Sequence, residues 1–210
     1  MGRDGDPFPD QLVDEPALAW LGGTLAARDD AWVPAARWRQ AAAAVAAAVA
    51  AGPFAVVSAL VLHSTTALGF GALALVVVIG PLIEELVKGA AAIHLVERRP
   101  HLVASGWVLV AIGLVSGLVF AALENVWYLV VLIDEPSREL VRWRWVFGPL
   151  VHGTGSVLVG IGAARAWRAA EAARTWPAFA TIRPWIVTAA VVHGTANAAG
   201  LALSALHVIE

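Results

Sequence analysis

The chain has 210 residues and a formal net charge of −2, and it is 60% hydrophobic but only 14% charged. Soluble domains usually carry about 25% charged residues, so this composition indicates an integral membrane protein. The small net charge gives no sign of nucleic-acid binding. The absence of cysteine excludes disulfides, thiolate metal sites and cysteine nucleophiles.

Residues 1–39 are polar and rich in proline, and we expect them to form a soluble N-terminal arm that lies partly at the membrane interface. The remainder, residues 40–210, is expected to be a membrane-embedded domain. Nothing in the arm has the pattern of a cleavable signal peptide.

Five apolar stretches predict an all-α, polytopic helical membrane bundle with about five transmembrane spans. They run over about residues 40–62, 68–96, 102–133, 145–164 and 185–208. We expect the first to kink at Gly52-Pro53 and the second to be tilted or broken at Gly80-Pro81. A polar loop around 134–142 and a basic segment over 165–184 separate the later spans.

The arginines near the span ends predict the orientation. With five spans, the N-terminal arm, the 97–101 loop and the 165–184 segment share one side of the membrane. That side has Arg28, Arg37, Arg39, Arg98, Arg99, Arg165, Arg168, Arg174 and Arg183, and the opposite side has Arg138, Arg142 and Arg144. The positive-inside rule therefore places the N-terminus inside and the C-terminus outside.

The second stretch carries Glu84, Glu85 and Lys88 inside an otherwise apolar run. A charged side chain at the centre of a bilayer costs about 2.5–3.5 kcal/mol on insertion scales, so three together indicate a functional site. Lys88 follows Glu84 by four residues and Glu85 by three, and on a helix it can pair with either. The other carboxylate is then a candidate for proton transfer.

Three later spans carry sets of residues that are spaced four apart and include polar side chains, so each set falls on one helix face. The sets are Phe120, Glu124 and Tyr128 in the third span, His152 and Ser156 in the fourth, and His193 and Asn197 in the fifth. At a rise of about 1.5 Å per residue, Glu124, His152 and His193 lie at depths in the membrane similar to that of the glutamate pair. The sequence therefore predicts one shared buried site.

Together these motifs resemble those of the PrsW family of intramembrane proteases. In chain order they are Glu84-Glu85-x-x-Lys88, Phe120-Ala121-x-x-Glu124-Asn125-x-x-Tyr128, His152 and His193-x-x-x-Asn197. They are also similar to the wider Abi/CAAX-prenyl endopeptidase superfamily, but Glu124 stands where its CAAX endopeptidases have histidine, which favours PrsW.

The resemblance covers about residues 68–200 and implies an intramembrane endopeptidase domain within residues 40–210. It implies a multi-pass protein of the cell membrane, whose partners are the lipid bilayer and a membrane-anchored protein substrate. A regulator such as an anti-sigma factor is the best-known substrate in the family. A proton-coupled transporter or channel and a non-catalytic membrane scaffold are the alternatives from other classes, since buried Glu, His and Lys also form proton relays.

Two catalytic arrangements fit the residues. In the first, a glutamate of the Glu84-Glu85 pair is the general base and Glu124 positions the water or shares its proton. His193 and Asn197 then donate hydrogen bonds to the oxyanion, and no metal is needed.

In the second arrangement, His152, His193 and Glu124 are ligands of a zinc ion with an open fourth position. Glu84 or Glu85 is then the base that acts on the zinc-activated water. The sequence leaves both arrangements open: Zn²⁺ is the cofactor in the second, and the first has none.

Lys88, Asn125 and Tyr128 are expected to surround these groups, with Asn125 and Tyr128 orienting Glu124 or closing the site. A serine protease with a His152–Ser156 dyad is a lesser alternative, because it leaves the three glutamates unexplained.

Overall fold

The structure is a computed structural model that describes residues 32–65 and 70–206. Throughout these ranges the regular structure is helical, as predicted. The helices are α1 (Arg37–Val49), α2 (Gly52–Thr65), α3 (Phe70–Ala74), α4 (Gly80–Arg98), α5 (Gly106–Trp127), α6 (Arg138–Ala173) and α7 (Phe179–Ala205). Most of the expected N-terminal arm, residues 1–31, lies outside the described residues.

Within residues 32–65 and 70–206, four helical segments are long and apolar enough to cross a membrane, so the chain is a helical membrane bundle. They are Arg37–Ser58, Gly106–Leu132, Arg138–Ala173 and Phe179–Ala205. The first is interrupted near the expected kink, because α1 ends at Val49 and α2 begins at Gly52. The helix of the expected second span, α4, has five charged residues among its 19, which sets it apart from the apolar four.

The expected break at Gly80-Pro81 is a π-helical turn over Leu75–Ile79, which joins α3 to α4 without interrupting the helix. A second π-helical turn, Tyr128–Leu132, extends α5. Single π-helical turns inside α-helices are frequent at functional sites. Pro81 has no N–H, so the continuous helix lacks one main-chain hydrogen bond directly after the π-helical turn.

The fourth span is longer than the sequence predicted. We expected it over residues 145–164, but α6 runs from Arg138 to Ala173 through both polar flanks. Its first turn is capped, since Leu140 N donates to Ser137 Oγ at 3.1 Å. Alanine and arginine, which fill the flanks, are among the best helix formers. At about 1.5 Å per residue the helix is roughly 54 Å long, more than the hydrocarbon core needs.

Two other predicted boundaries were also wrong. The third span was expected from residue 102, but a 3₁₀ turn over Pro100–Leu102 delays the start of α5 to Gly106. The fifth was expected from residue 185, but α7 begins at Phe179 and includes Pro184 near its start, where proline breaks few hydrogen bonds.

The N-terminal residues, the loop after α4 and the second half of α6 meet at one end of the bundle. Ala35 N donates to His101 O at 3.0 Å, and Trp167 Nε1 donates to Pro100 O at 3.3 Å. The Trp32 ring lies 6.3 Å from that of Trp167. These three segments are therefore in contact, and the side of the membrane on which they lie stays a prediction.

α5 and α6 pack through small residues. A Cβ on Gly113 would collide with the carbonyl oxygen of Ser156, and one on Gly117 would collide with that of His152. Small residues let helix backbones approach closely in membranes. The close approach holds His152 against the face of α5 that also carries Glu124.

α7 docks on the π-helical turn in front of α4. A Cβ on Gly194 would collide with the carbonyl oxygen of Val77, and Asn197 Nδ2 donates to Val76 O at 2.9 Å. His193, which precedes Gly194, is thereby set against the start of α4 and its two glutamates.

We expect Gly194→Ala to destabilise the protein by about 1–3 kcal/mol, because the added methyl group overpacks a backbone contact. Gly200→Ala is the matched control on the same helix, since its Cβ would lie 3.9 Å from the nearest Trp143 atom. Alanine is the better helix former, so the control should be neutral or slightly stabilising. Thermal unfolding in detergent measures both, and equal midpoints would show that the contact is unimportant.

Candidate active site

The structure gathers the predicted polar residues into one buried cluster formed by four helices. Its buried members are Glu84, Glu85 and Lys88 from α4, Glu124 and Asn125 from α5, His152 from α6 and His193 from α7. The residues that helical spacing and depth assigned to one shared site therefore do lie together in the structure.

Glu85 joins α4 to α7. Its Oε1 accepts hydrogen bonds from Lys88 Nζ at 2.5 Å and from His193 Nδ1 at 2.9 Å. Because an ionised carboxylate only accepts, His193 Nδ1 is the protonated nitrogen. The other nitrogen, Nε2, then presents a lone pair and lies 3.6 Å from Glu84 Oε2.

His152 is held in the same way by Glu124. Its Nε2 lies 3.1 Å from Glu124 Oε2 and donates to it, which leaves a lone pair on Nδ1. That Nδ1 lies 2.9 Å from Lys88 Nζ and 4.0 Å from Glu84 Oε2. Each histidine is thus bonded to a carboxylate through one nitrogen, and its other nitrogen lies within 4.0 Å of Glu84 Oε2; in His152 that second nitrogen also faces Lys88 Nζ.

Glu84 Oε1 accepts a hydrogen bond from Ser58 Oγ at 2.6 Å, whereas Oε2 has no hydrogen-bond partner among the described residues. One ligand atom each from Glu84, His152 and His193 lie within 4.8 Å of one another. Zinc binds nitrogen and oxygen at about 2.0–2.2 Å, so ligands of one ion lie up to roughly 4 Å apart. The spacing of these three side chains suits a metal ion after a small contraction.

This group differs from the ligand set that the sequence suggested. Glu84 takes the place that the sequence-based set gave to Glu124, and Glu124 is bonded to the outer nitrogen of His152. Helical spacing gave no means of choosing between the two carboxylates, because the choice depends on how α4 and α5 are rotated about their axes.

Arg144 is a site residue that the sequence analysis missed. Its Nη2 lies 3.3 Å from Glu124 Oε2, and its Nε donates to Asn125 Oδ1 at 3.2 Å. Asn125 Nδ2 donates back to Arg144 O at 2.8 Å, and the guanidinium lies 4.0 Å from the centre of the Tyr128 ring. Asn125 and Tyr128 therefore hold Arg144, and Arg144 contacts Glu124.

The sequence signal that could have identified Arg144 as a site residue is its spacing from His152. Arg144 lies about two helical turns before His152 on α6, so the two residues share a face of that helix. Arg144 was expected to lie outside the membrane, because the fourth span was expected to begin at residue 145. The unexpected length of α6 is what brings this arginine to Glu124.

We expect Arg144→Ala to lower kcat about 10–100-fold with little change in KM, as is typical when a group that orients a site residue is lost. Arg144→Lys keeps the charge but not the paired geometry, so its kcat should be intermediate. Arg142→Ala, at an exposed position on the same helix, is the control. Kinetics with a membrane peptide check this, and equal kcat for Arg144→Ala and Arg142→Ala would refute the role.

Neither Ser116 nor Ser156 forms a catalytic dyad with a histidine of the described residues. Ser116 Oγ donates to the backbone oxygen of Lys88 at 2.9 Å, so it joins α5 to α4. Ser156 Oγ has no partner among the described residues, and both ring nitrogens of His152 face other groups, Lys88 and Glu124. The geometry gives the serine-protease alternative no support.

Asn197 lies one turn after His193, and its side-chain amide is engaged with the π-helical turn at Val76. Its contact positions α7 against the start of α4. The role that the sequence analysis gave it, as an oxyanion donor beside His193, stays a prediction.

A family model described as PrsW family intramembrane metalloprotease matches residues 35–209. The matched region includes every helix named above and every residue of the buried cluster. Comparisons with curated proteins and with solved structures find no match.

Proposed function

The chain belongs to the PrsW family of intramembrane proteases, and on that premise we propose that it hydrolyses a peptide bond of a membrane-anchored protein with zinc held by Glu84, His152 and His193. The observation that carries the proposal is that His193 Nε2 and His152 Nδ1 lie 3.6 and 4.0 Å from Glu84 Oε2, which has no hydrogen-bond partner among the described residues. Three protein ligands leave a position open for substrate and water, as in catalytic zinc sites.

The surroundings of the two histidines also fit a metal ion. Metal-binding histidines usually donate their second nitrogen to a carboxylate or a carbonyl, which fixes the tautomer and raises the basicity of the ligand. Here Glu85 accepts that hydrogen bond from His193, and Glu124 accepts it from His152. The assignment therefore accounts for all three glutamates.

The charge of the cluster is a further argument for a bound cation. The ionised side chains of Glu84, Glu85 and Glu124 outnumber those of Lys88 and Arg144 by one negative charge while the histidines are neutral. Buried charge without compensation is costly. A cation bound at Glu84 would remove this excess, as would a proton on one of the carboxylates.

Bound zinc would supply Lewis acidity, polarising the substrate carbonyl and making water more acidic. Glu85 serves as the base in this assignment, because it is the glutamate of the pair that does not hold the ion, and its Oε2 has no hydrogen-bond partner among the described residues. Lys88 and His193 hold the other oxygen, Oε1, so the carboxylate is fixed in place. A positioned general base contributes about 10²–10⁴-fold to the rate.

A metal-free glutamate protease is the second candidate, and the position of Lys88 favours it. Lys88 Nζ lies 2.9 Å from His152 Nδ1, so an ammonium group already faces the nitrogen that zinc would use. In this mechanism Glu84 Oε2 is the base, and His193, protonated on both ring nitrogens, donates from Nε2 to the oxyanion. Both mechanisms involve the residues of the buried cluster, and both hydrolyse a peptide bond.

The substrate class and the location follow from the family and the helices. We take the protein to be a multi-pass protein of the cell membrane with the N-terminus inside, and the substrate to be a protein with a membrane anchor. A regulator such as an anti-sigma factor fits this description.

Chelation separates the two mechanisms. Purified protein in liposomes should lose cleavage of a transmembrane reporter peptide after treatment with a zinc chelator, and added Zn²⁺ should restore it. His94→Ala, an exposed position on α4, should respond like the wild type. Cleavage that persists at full rate in chelator would exclude the zinc mechanism, and no cleavage under any condition would exclude the proposed function.

A further inference from the structure

An apolar pocket of about 180 Å³ lies between α2 and α4 and ends at Glu84. Phe54 and Val57 of α2, Ile83 of α4 and Phe120 of α5 form much of its wall. Of the side chains that line it, only Ser58 and Glu84 are polar, and they are hydrogen-bonded to each other at the inner end. We call this the α2–α4 pocket.

The mouth of the α2–α4 pocket faces the lipid side of the bundle. Phe54, Val57 and Ile83 are each about half exposed, although all are large and apolar. A segment that arrives from the bilayer can therefore reach the pocket between α2 and α4 without passing through the protein. Its inner end is the carboxylate that we assign to catalysis.

We propose that the α2–α4 pocket binds the side chain of a substrate residue next to the cleaved bond and selects an apolar side chain of leucine or phenylalanine size. This inference rests on the proposed function, because it takes Glu84 as part of the catalytic centre. A side chain that fills the pocket places its own backbone beside Glu84, where the peptide bond is to be cut.

The volume sets the size class. An apolar cavity of roughly 150 Å³ lined by Leu, Ile and Phe binds benzene, so about 180 Å³ accepts one phenyl ring or one branched aliphatic side chain. An indole fits this space less readily than a phenyl ring, and an alanine leaves most of it empty. An acidic side chain would meet apolar walls and the like-charged Glu84, so it is rejected.

The test measures kcat/KM for transmembrane peptides that differ only in one residue beside the cleavage site, with Ala, Leu, Phe, Trp or Asp at that position. Both flanking positions are scanned. The wild type should prefer Leu or Phe over Ala by at least about tenfold at one of them, since one methylene in an apolar pocket changes kcat/KM by about 10–200-fold. Asp should be the poorest substrate.

Variants of the wall should change this preference in opposite directions. Val57→Phe and Ile83→Phe narrow the pocket, so the preference should move towards Ala. Phe54→Ala enlarges it, so Trp should become a good substrate. Val126→Phe, on the exposed face of α5 and away from the pocket, is the control and should keep the wild-type order.

Unchanged ratios among the peptides in all three wall variants would overturn the inference. A uniform change for every peptide would overturn it as well, and that is the result expected if a lipid chain fills the pocket. Phe54→Ala adds no bulk, so it still gives an answer if the narrowing variants do not fold. If Glu84→Gln is inactive while the ratios stay constant, only the pocket inference fails; if Glu84→Gln cleaves normally, the proposed function fails.

Discussion

Glu84→Gln is expected to lower kcat for peptide cleavage by about 10³-fold or more. The amide removes the charged oxygen that lies near both histidines, and in the proposed zinc mechanism the Lewis-acid contribution of several kcal/mol would be lost with it. Each 1.4 kcal/mol of that contribution is a factor of about ten in rate. Single-turnover cleavage of a membrane peptide by purified protein measures the effect.

The control for this prediction is Glu97→Gln, the same change near the other end of α4. It should retain wild-type kcat, since Glu97 lies three turns from the cluster. If Glu84→Gln cleaved as fast as Glu97→Gln, Glu84 would be neither a metal ligand nor a base.

Lys88→Met is expected to destabilise the protein by about 3–5 kcal/mol. Lys88 is 1% exposed and contacts Glu85 and His152, so its removal leaves a buried carboxylate without its cation. Breaking a buried ion pair from one side usually costs this much. Unfolding by denaturing detergent, followed by tryptophan fluorescence, measures the free energy of unfolding.

A double variant separates the loss of the pair from the loss of the methylene stem. Lys88→Met with Glu85→Gln removes both charges, so it should be more stable than Lys88→Met alone. Arg98→Met, an exposed cation at the end of the same helix, should have little effect. A free energy of unfolding for Lys88→Met equal to that of Arg98→Met would contradict a structural role for the buried pair.

The sequence was a good guide to which residues share the site and a poor guide to their individual tasks. The cost of charge in a bilayer singled out the glutamates of α4, and spacing by four residues placed Glu124, His152 and His193 on inward faces. These arguments depend only on one helix at a time. The contacts between helices depend on packing, which spacing within a helix does not contain.

Glu84 and Glu85 illustrate the difference. Successive residues on an α-helix are about 100° apart, so two adjacent glutamates differ in most of their neighbours, although His193 lies beside both. The sequence identified Lys88 as a partner for either one, and the structure pairs it with Glu85. Ser58, which bonds Glu84, lies on α2, a helix that the motifs do not include.

Arg144 was missed for a related reason. Hydropathy marks where a helix enters lipid, but it does not mark where the helix ends. Because α6 continues beyond its apolar part to Arg138, Arg144 is held at the height of Glu124 and Asn125.

The most direct test of the central claim is the zinc content of the purified protein and of single variants. The account predicts about one zinc per chain in the wild type and in His94→Ala, and none in Glu84→Gln or His193→Ala. Glu124→Gln should still bind zinc, with affinity reduced about 10–100-fold, because Glu124 orients His152 without binding the ion. An active wild-type protein without zinc, or zinc lost in Glu124→Gln but kept in Glu84→Gln, would contradict the account.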